Sequence, residues 1–172
     1  EQAILAYGYG LSVTPLQLAE AYSVLAADGV YHPASFVMVG DVAPTRVMRK
    51  ETARAVRSLL TGVVDPEGTG YQASISGYTV AGKTGTAKKS VAGGYSEDRY
   101  IAVFAGMAPA SNPELVTVVM INEPSGEEYS GGQVAAPVFS KVMAGALRYL
   151  DVTPDDYTQI KSASGRREDQ RV

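Results

Sequence analysis

Five consecutive residues hold the groups of this chain that are best suited to chemistry. Gly82, Lys83, Thr84, Gly85 and Thr86 combine one ammonium, two hydroxyls and two positions without a Cβ. If the segment is extended, Thr84 and Thr86 share one face and Lys83 lies on the other. Glycine allows another molecule to approach the backbone closely. At the edge of a sheet, such a segment could hold a carboxylate and a carbonyl oxygen with its N–H groups, hydroxyls and ammonium.

The same segment also fits a rival motif. Residues 77–84 match G-x-x-x-x-G-K-[ST], the phosphate-binding loop of nucleotide hydrolases. That motif requires a helix beginning at Lys83, which Gly85 disfavours, and its x positions at 78–81 are mostly strand formers here. The apolar strand that should end in a magnesium-binding aspartate ends instead in Asn122. The pattern favours an edge strand over a phosphate loop, and a glycine-rich surface turn with a solvated lysine remains open.

Composition narrows the possible functions. The chain has 172 residues, which is enough for one domain with a hydrophobic core, and a net charge of −3. It has no basic surface signal, so we expect no nucleic-acid partner. It has no cysteine and one histidine, His32, so we expect no metal and no cofactor. The absence of cysteine fits an oxidising compartment. No apolar run approaches the ~18 residues of a membrane-spanning helix. The start at Glu1, without methionine or signal sequence, suggests a processed or excised piece.

Three helices and a set of strands are predicted around the five residues. A capping box predicts a helix from Thr14, and apolar periodicity predicts helices over 51–60 and from Pro137. We expect the second helix to bury Val56, Leu59, Leu60 and Val63, and the third to bury Val138, Val142, Ala146, Tyr149 and Leu150. Gly145 would allow close approach to a sheet. An extended pattern covers 31–39, turns or loops are predicted at 7–10, 65–70, 90–99 and 123–132, and further strands at 100–107 and 115–121.

Short connections between successive strands predict an antiparallel meander, since parallel neighbours need crossovers of about a dozen residues. We therefore expect an α+β fold with an antiparallel sheet covered by helices. Residues 1–153 form the folded portion, and residues 154–172 form a polar tail that we expect to be disordered.

Five segments, in one order, resemble a known family. Residues 7–11, 13–18, 81–89, 104–109 and 136–142 are similar to the class B penicillin-binding proteins, in particular to the division-specific peptidoglycan D,D-transpeptidases of Gram-negative bacteria. The resemblance covers about residues 3 to 153. It implies the fold shared by penicillin-binding transpeptidases and serine β-lactamases, to which this chain would contribute the C-terminal part of the transpeptidase domain.

The resemblance also implies roles for individual residues. Lys83 would supply positive charge and help the proton relay, and the hydroxyls of Thr84 and Thr86 would hold the terminal carboxylate of the substrate. The Thr86 N–H would form half of an oxyanion hole, in a strand that Gly85 keeps accessible. Tyr100 and Tyr129 would flank the cleft, although packing at the ends of a strand and a loop explains them equally well.

One departure from the family is informative. Its nucleophile lies in Ser-x-x-Lys and its second motif reads Ser-x-Asn, and no serine here has lysine three residues on or asparagine two residues on. We therefore expect the chain to be inactive alone. A serine β-lactamase-like hydrolase and a non-catalytic penicillin-binding sensor remain alternatives. For the whole protein the resemblance implies peptidoglycan stem peptides and β-lactam antibiotics as ligands, membrane proteins of the division machinery as partners, and a periplasmic domain anchored in the inner membrane.

Overall fold

A three-stranded sheet carries the candidate residues. The computed structural model describes residues 11–37, 40 and 42–156. Strands β3 (Ala81–Val91), β4 (Gly94–Ala108) and β5 (Leu115–Asn122) pair antiparallel in the order β3-β4-β5. The predicted meander is confirmed, and β3 lies at an edge of the sheet.

The polar loop predicted over 90–99 is wrong. Both strands continue through this region, Ser90 pairs with Tyr95 and Val91 pairs with Gly94, so only two residues form the turn. Gly93 and Gly94 have φ values of +93° and +145°, which suit glycine and close the hairpin tightly. This end of the hairpin is mostly exposed, so its polar side chains carry no apolar alternation by which a strand could be recognised.

The first helix, α1 (Pro15–Ala26), begins at the predicted capping box. The Gln17 N–H donates to Thr14 Oγ1 at 3.2 Å, and the Thr14 N–H donates to Gln17 Oε1 at 2.9 Å. After it, β1 (Val30–Tyr31) and β2 (Thr45–Arg46) form a separate two-stranded sheet. The extended segment predicted from residue 31 to 39 is therefore shorter than expected among the described residues, because pairing ends at Tyr31.

The second helix, α2 (Lys50–Leu60), buries only part of the predicted face: Val63, just beyond its end, is buried and Leu60 packs against a core cluster. Ala53 and Arg57 are buried, whereas Leu59 is 81% exposed. The Arg57 guanidinium donates to the carbonyl oxygens of Leu25 and Ala26 at 3.1 and 3.2 Å. Carbonyl groups at the end of a helix lack hydrogen-bond partners within the helix, and the buried Arg57 supplies partners for two of them at the end of α1. Apolar periodicity cannot predict the burial of a charged residue for this reason.

The last helix, α3 (Ala136–Tyr149), follows a π-helical turn at Gly131–Ala135. It buries Phe139, Met143 and Leu147 against the sheet, and the rings of Phe104 and Phe139 lie 4.7 Å apart. The predicted face is wrong, because Val138, Val142, Tyr149 and Leu150 are exposed. The predicted stripe and the buried stripe of Phe139, Met143 and Leu147 both have helical spacing, and the contact of Phe139 with Phe104 turns the buried stripe toward the sheet. Within the part of the chain that the structure describes, a Cβ at Gly145 would meet nothing within 4 Å, so this glycine serves no close approach there.

The segment after α3 returns to the start of β3. The Tyr78 hydroxyl donates to the Val152 carbonyl at 2.6 Å, and the Asp155 N–H donates to the Gly77 carbonyl at 3.1 Å. The division at residue 153 stays a prediction, and the tail from residue 157 and the turn over 7–10 lie outside the described residues. No helix among the residues described is long and apolar enough to cross a membrane.

Candidate active site

The backbone of the candidate segment is open on one side. The Tyr100 carbonyl accepts from the Glu123 N–H at 2.9 Å. From Tyr100 to Ala108, where the register is regular, even-numbered residues of β4 therefore direct their peptide groups toward β5 and odd-numbered ones toward β3. Gly85 pairs with an odd-numbered residue of β4 and bonds to it. The peptide groups of Thr84 and Thr86, one residue away on either side, therefore point to the open edge. The predicted edge strand is confirmed, and a helix beginning at Lys83, as a phosphate loop requires, is not present.

Lys83 lies at this edge with an exposed side chain. Its Nζ donates to the Thr84 carbonyl oxygen at 3.0 Å and lies 3.5 Å from Thr84 Oγ1. A cavity of about 310 Å³ adjoins it, lined in part by Val63, Gly68 and Thr69. The ammonium thus stands between the outward carbonyl of the strand and an open cavity, where it can attract an anion.

Both threonine hydroxyls have a partner behind them. Thr84 Oγ1 lies 3.0 Å from Thr69 Oγ1, and Thr86 Oγ1 accepts from the Gly131 N–H at 3.0 Å. A hydroxyl has one hydrogen to donate and two lone pairs to accept with. Because the Gly131 bond uses a lone pair, the Thr86 hydrogen is left to donate to another group, such as a carboxylate at the edge of the strand.

Three glycines allow two loops to pack on this face of β3. A Cβ at Gly131 would lie 2.2 Å from the Val103 carbonyl oxygen, one at Gly132 would lie 2.0 Å from that of Thr69, and one at Gly70 would lie 2.7 Å from the Phe104 ring. Sequence reasoning missed Thr69 and Gly131 as parts of the site. The sequence offers one signal for these contacts, the closely spaced glycines Gly68-x-Gly70 and Gly131-Gly132. Such glycines indicate close packing of the backbone, but they do not indicate which strand the loop packs against.

The two tyrosines proposed as a cleft wall contact each other. The rings of Tyr100 and Tyr129 are stacked, with centroids 4.2 Å apart and planes inclined by 21°. Tyr100 is two residues along β4 from Ala102, the partner of Thr86. The structure therefore brings all six predicted site residues to one region of the fold. Four lie on β3, Tyr100 lies on the neighbouring strand β4, and Tyr129 lies in the loop before the π-helical turn.

Charged groups hold the far end of the three strands together. Lys89 of β3 pairs with Glu123 at the end of β5, and Arg99 of β4 lies 3.9 Å from the same carboxylate. The hydrogen bond from Lys89 holds the pKa of Glu123 below its usual value. Among the described residues, no group of three or more histidine, aspartate or glutamate side chains could hold a metal ion.

The comparisons with known proteins agree with this geometry. The family described as the penicillin binding protein transpeptidase domain matches residues 1–144. The chain is 46% identical over 156 residues to a Neisseria meningitidis serogroup A protein named "Probable peptidoglycan D,D-transpeptidase PenA", and 45% identical over 159 residues to the peptidoglycan D,D-transpeptidase FtsI of Escherichia coli K12. These matches cover 90% and 92% of the chain but 27% of each relative, so the chain spans about a quarter of their length.

A solved structure of a transpeptidase domain has a similar fold. The apo structure of the transpeptidase domain of penicillin-binding protein 3 from Burkholderia pseudomallei superposes with a TM-score of 0.83 at 46% sequence identity. The superposition covers 91% of this chain and 48% of that one. The fold predicted from the sequence is confirmed, and the chain belongs to the family of penicillin-binding protein transpeptidase domains.

Proposed function

We propose that this chain is the C-terminal part of the transpeptidase domain of a peptidoglycan D,D-transpeptidase. The whole protein cross-links stem peptides through a serine acyl-enzyme and is acylated by β-lactam antibiotics. The observation that carries the proposal is the open edge of β3, where the peptide groups of Thr84 and Thr86 point outward beside Lys83. The names of relatives at 45–46% identity support the same reaction.

The open edge suits the electrostatics of acyl transfer. A serine hydroxyl attacks the carbonyl carbon between two D-alanines, and negative charge develops on the carbonyl oxygen. The Thr86 N–H donates to that oxygen as half of an oxyanion hole, and one such donor contributes about 3 kcal/mol in hydrolases. The serine hydroxyl loses its proton as it attacks, and the amine of the terminal D-alanine takes up a proton as its bond to the carbonyl breaks. An amine of a neighbouring strand then attacks the serine ester and forms the cross-linking amide. The ester bond breaks, and the serine oxygen regains the proton that the attacking amine loses.

The substrate is held by its terminal carboxylate. The hydroxyls of Thr84 and Thr86 are on one face of β3, where each donates one hydrogen to a carboxylate oxygen. The Lys83 ammonium adds positive charge and supports proton transfer at the serine. Tyr100 and Tyr129 form the aromatic wall of the cleft with their stacked rings.

The nucleophile is supplied from outside this chain. No Ser-x-x-Lys or Ser-x-Asn is present in the 172 residues, and the chain spans 27% of its curated relatives. The isolated chain is therefore inactive and completes a site when joined to the missing portion. For the whole protein we propose a periplasmic catalytic domain, an anchor in the inner membrane and partners in the division machinery.

Labelling with a fluorescent penicillin tests the proposal. The whole protein that contains this chain should form a stable covalent adduct, and the isolated chain should form none. Lys83→Met should lower labelling strongly in the whole protein, and Lys50→Met, an exposed lysine at the start of α2, serves as the matched control.

Three outcomes would contradict the proposal. Labelling of the isolated chain would place the nucleophile within it. Rapid turnover of penicillin by the whole protein would favour a β-lactamase-like hydrolase. Stable labelling without any transfer to an amine acceptor would favour a penicillin-binding sensor.

A further inference from the structure

Thr69 is a polar residue of the site that the proposed mechanism leaves unused. Its hydroxyl lies 3.0 Å from that of Thr84, in a loop that reaches β3 from the end of α2. The loop is held by its own backbone, since the Gly70 N–H donates to the Val63 carbonyl at 2.9 Å and the Gly68 N–H donates to the Asp65 carbonyl at 2.7 Å. The position of the Thr69 hydroxyl is thus determined by the loop backbone, not by a long flexible side chain.

Close packing fixes the same loop against the sheet. Gly70 is buried, and a Cβ there would lie 2.7 Å from the Phe104 ring and 3.3 Å from Thr84 Cγ2. A Cβ on Gly132 would lie only 2.0 Å from the Thr69 carbonyl oxygen, so glycine is needed at that position for the loop to pack there. Thr69 is therefore held between β3 and the turn at Gly131–Ala135, so its hydroxyl faces Thr84 on a rigid support.

The hydrogen-bond inventory of Thr84 shows what this contact does. Thr84 Oγ1 has two lone pairs and one hydrogen. Lys83 Nζ at 3.5 Å and the Thr69 hydroxyl at 3.0 Å are both placed to donate to the lone pairs. When both do so, the Thr84 hydrogen has no acceptor behind it and is directed to a ligand. The Gly131 N–H prepares the Thr86 hydroxyl in the same way.

We propose that Thr69 is a positioning residue for the carboxylate of the substrate. It acts through Thr84, whose hydroxyl it orients and polarises as a donor, and it does not touch the reacting atoms. The inference rests on the proposed function, because it assigns Thr69 to the carboxylate subsite of the same β3 edge.

The test uses the whole protein that contains this chain, with two variants at one position. Thr69→Val keeps the shape and removes the hydroxyl, and Thr69→Ser keeps the hydroxyl. Thr69→Val should lower the efficiency of acylation by a penicillin about 3- to 10-fold, the factor that corresponds to one net hydrogen bond. Thr69→Ser should restore it.

The substrate provides the control that separates positioning from general damage. Two thioester substrates are compared, one with a terminal carboxylate and one with its neutral amide. Thr69→Val should slow acylation by the carboxylate substrate and leave the amide substrate unchanged. In a Thr84→Val background, Thr69→Val should have no further effect, because the two hydroxyls act as a unit.

The outcomes distinguish the two proposals. If the unaltered whole protein is not acylated, the proposed function fails. If it is acylated and Thr69→Val acts equally on both thioesters, or has no effect, or Thr69→Ser does not restore the rate, then Thr69 does not position the carboxylate. If Thr69→Val does not fold, Thr69→Ala is measured with the same two thioesters. A slower reaction with the carboxylate thioester and an unchanged reaction with the amide thioester would then support the proposal, and an equal effect on both would overturn it.

Discussion

Asp155 offers the sharpest test of how β3 is held in place. Its Oδ1 accepts from the Thr79 N–H at 2.8 Å, and its Oδ2 accepts from the hydroxyls of Thr79 and Ser111, each at 2.5 Å. These bonds tie the segment after α3 to the residues that lead into β3. Asp155→Ala removes all three. A hydrogen bond to a charged group contributes about 1.5–3 kcal/mol, and partial exposure of the carboxylate reduces the sum, so we expect a loss of about 2–4 kcal/mol.

The pH dependence of this effect has a definite sign. Burial alone would raise the pKa of Asp155, but the hydrogen bonds from Ser111 and Thr79 outweigh it and hold the pKa below its ordinary value. A carboxyl group whose pKa is lower in the folded state stabilises the fold in full above its unfolded pKa of about 3.9. The stabilisation is lost as the pH falls through the lower, folded pKa.

Amide hydrogen exchange in the whole protein is the assay, because it reports on this segment without requiring global unfolding. A loss of 2 kcal/mol corresponds to about 30-fold faster exchange at the Thr79 N–H, since 1.4 kcal/mol is tenfold. After correction for intrinsic rates, the difference between the unaltered protein and Asp155→Ala should be constant from neutral pH to about 4 and shrink below it. Glu127→Ala, an exposed carboxylate in a loop, is the control. Equal protection at neutral pH, or a difference that grows as the pH falls, would refute the reasoning.

Two further predictions concern glycine and arginine. Gly131→Ala places a Cβ 2.2 Å from a strand carbonyl, so we expect acylation of the whole protein to fall at least tenfold by penicillin labelling, roughly as for the loss of an active-site hydrogen bond. The Cβ of Gly145→Ala would meet no atom within 4 Å among the described residues, so this variant should not slow acylation, and an equal loss in both variants would contradict the packing argument. Arg57→Met leaves two helix-terminal carbonyls and Asp28 without their buried partner, at a cost of about 2–3 kcal/mol in thermal unfolding. Arg54→Met removes only an ion pair between a guanidinium that is more than half exposed and the same Asp28, worth about 1 kcal/mol or less. A larger loss for Arg54→Met than for Arg57→Met would contradict the assignment of Arg57 as the stabilising arginine.

The errors of the sequence-based predictions have a common physical origin. On α3, Val138 and Val142 have the same helical spacing as Phe139 and Met143, so periodicity alone cannot say which stripe meets the sheet. On α2, the buried Arg57 is selected by carbonyls at the end of another helix, a partner distant in sequence. In both helices the existence of the element was predictable, and its orientation depended on what packs against it.

The sequence by itself determined the type of element at the site and its family. Strand formers on one side, glycines that disfavour a helix and a hydroxyl every second residue favour an extended Lys83–Thr86 segment, because these are local preferences of the backbone. The tertiary structure decided which groups stand behind that segment. Thr69 and Gly131 lie 15 and 45 residues from their threonine partners, and only the packing of two loops on β3 brings them within 3.0 Å. Such contacts depend on the path of the whole chain, which local sequence preferences do not encode.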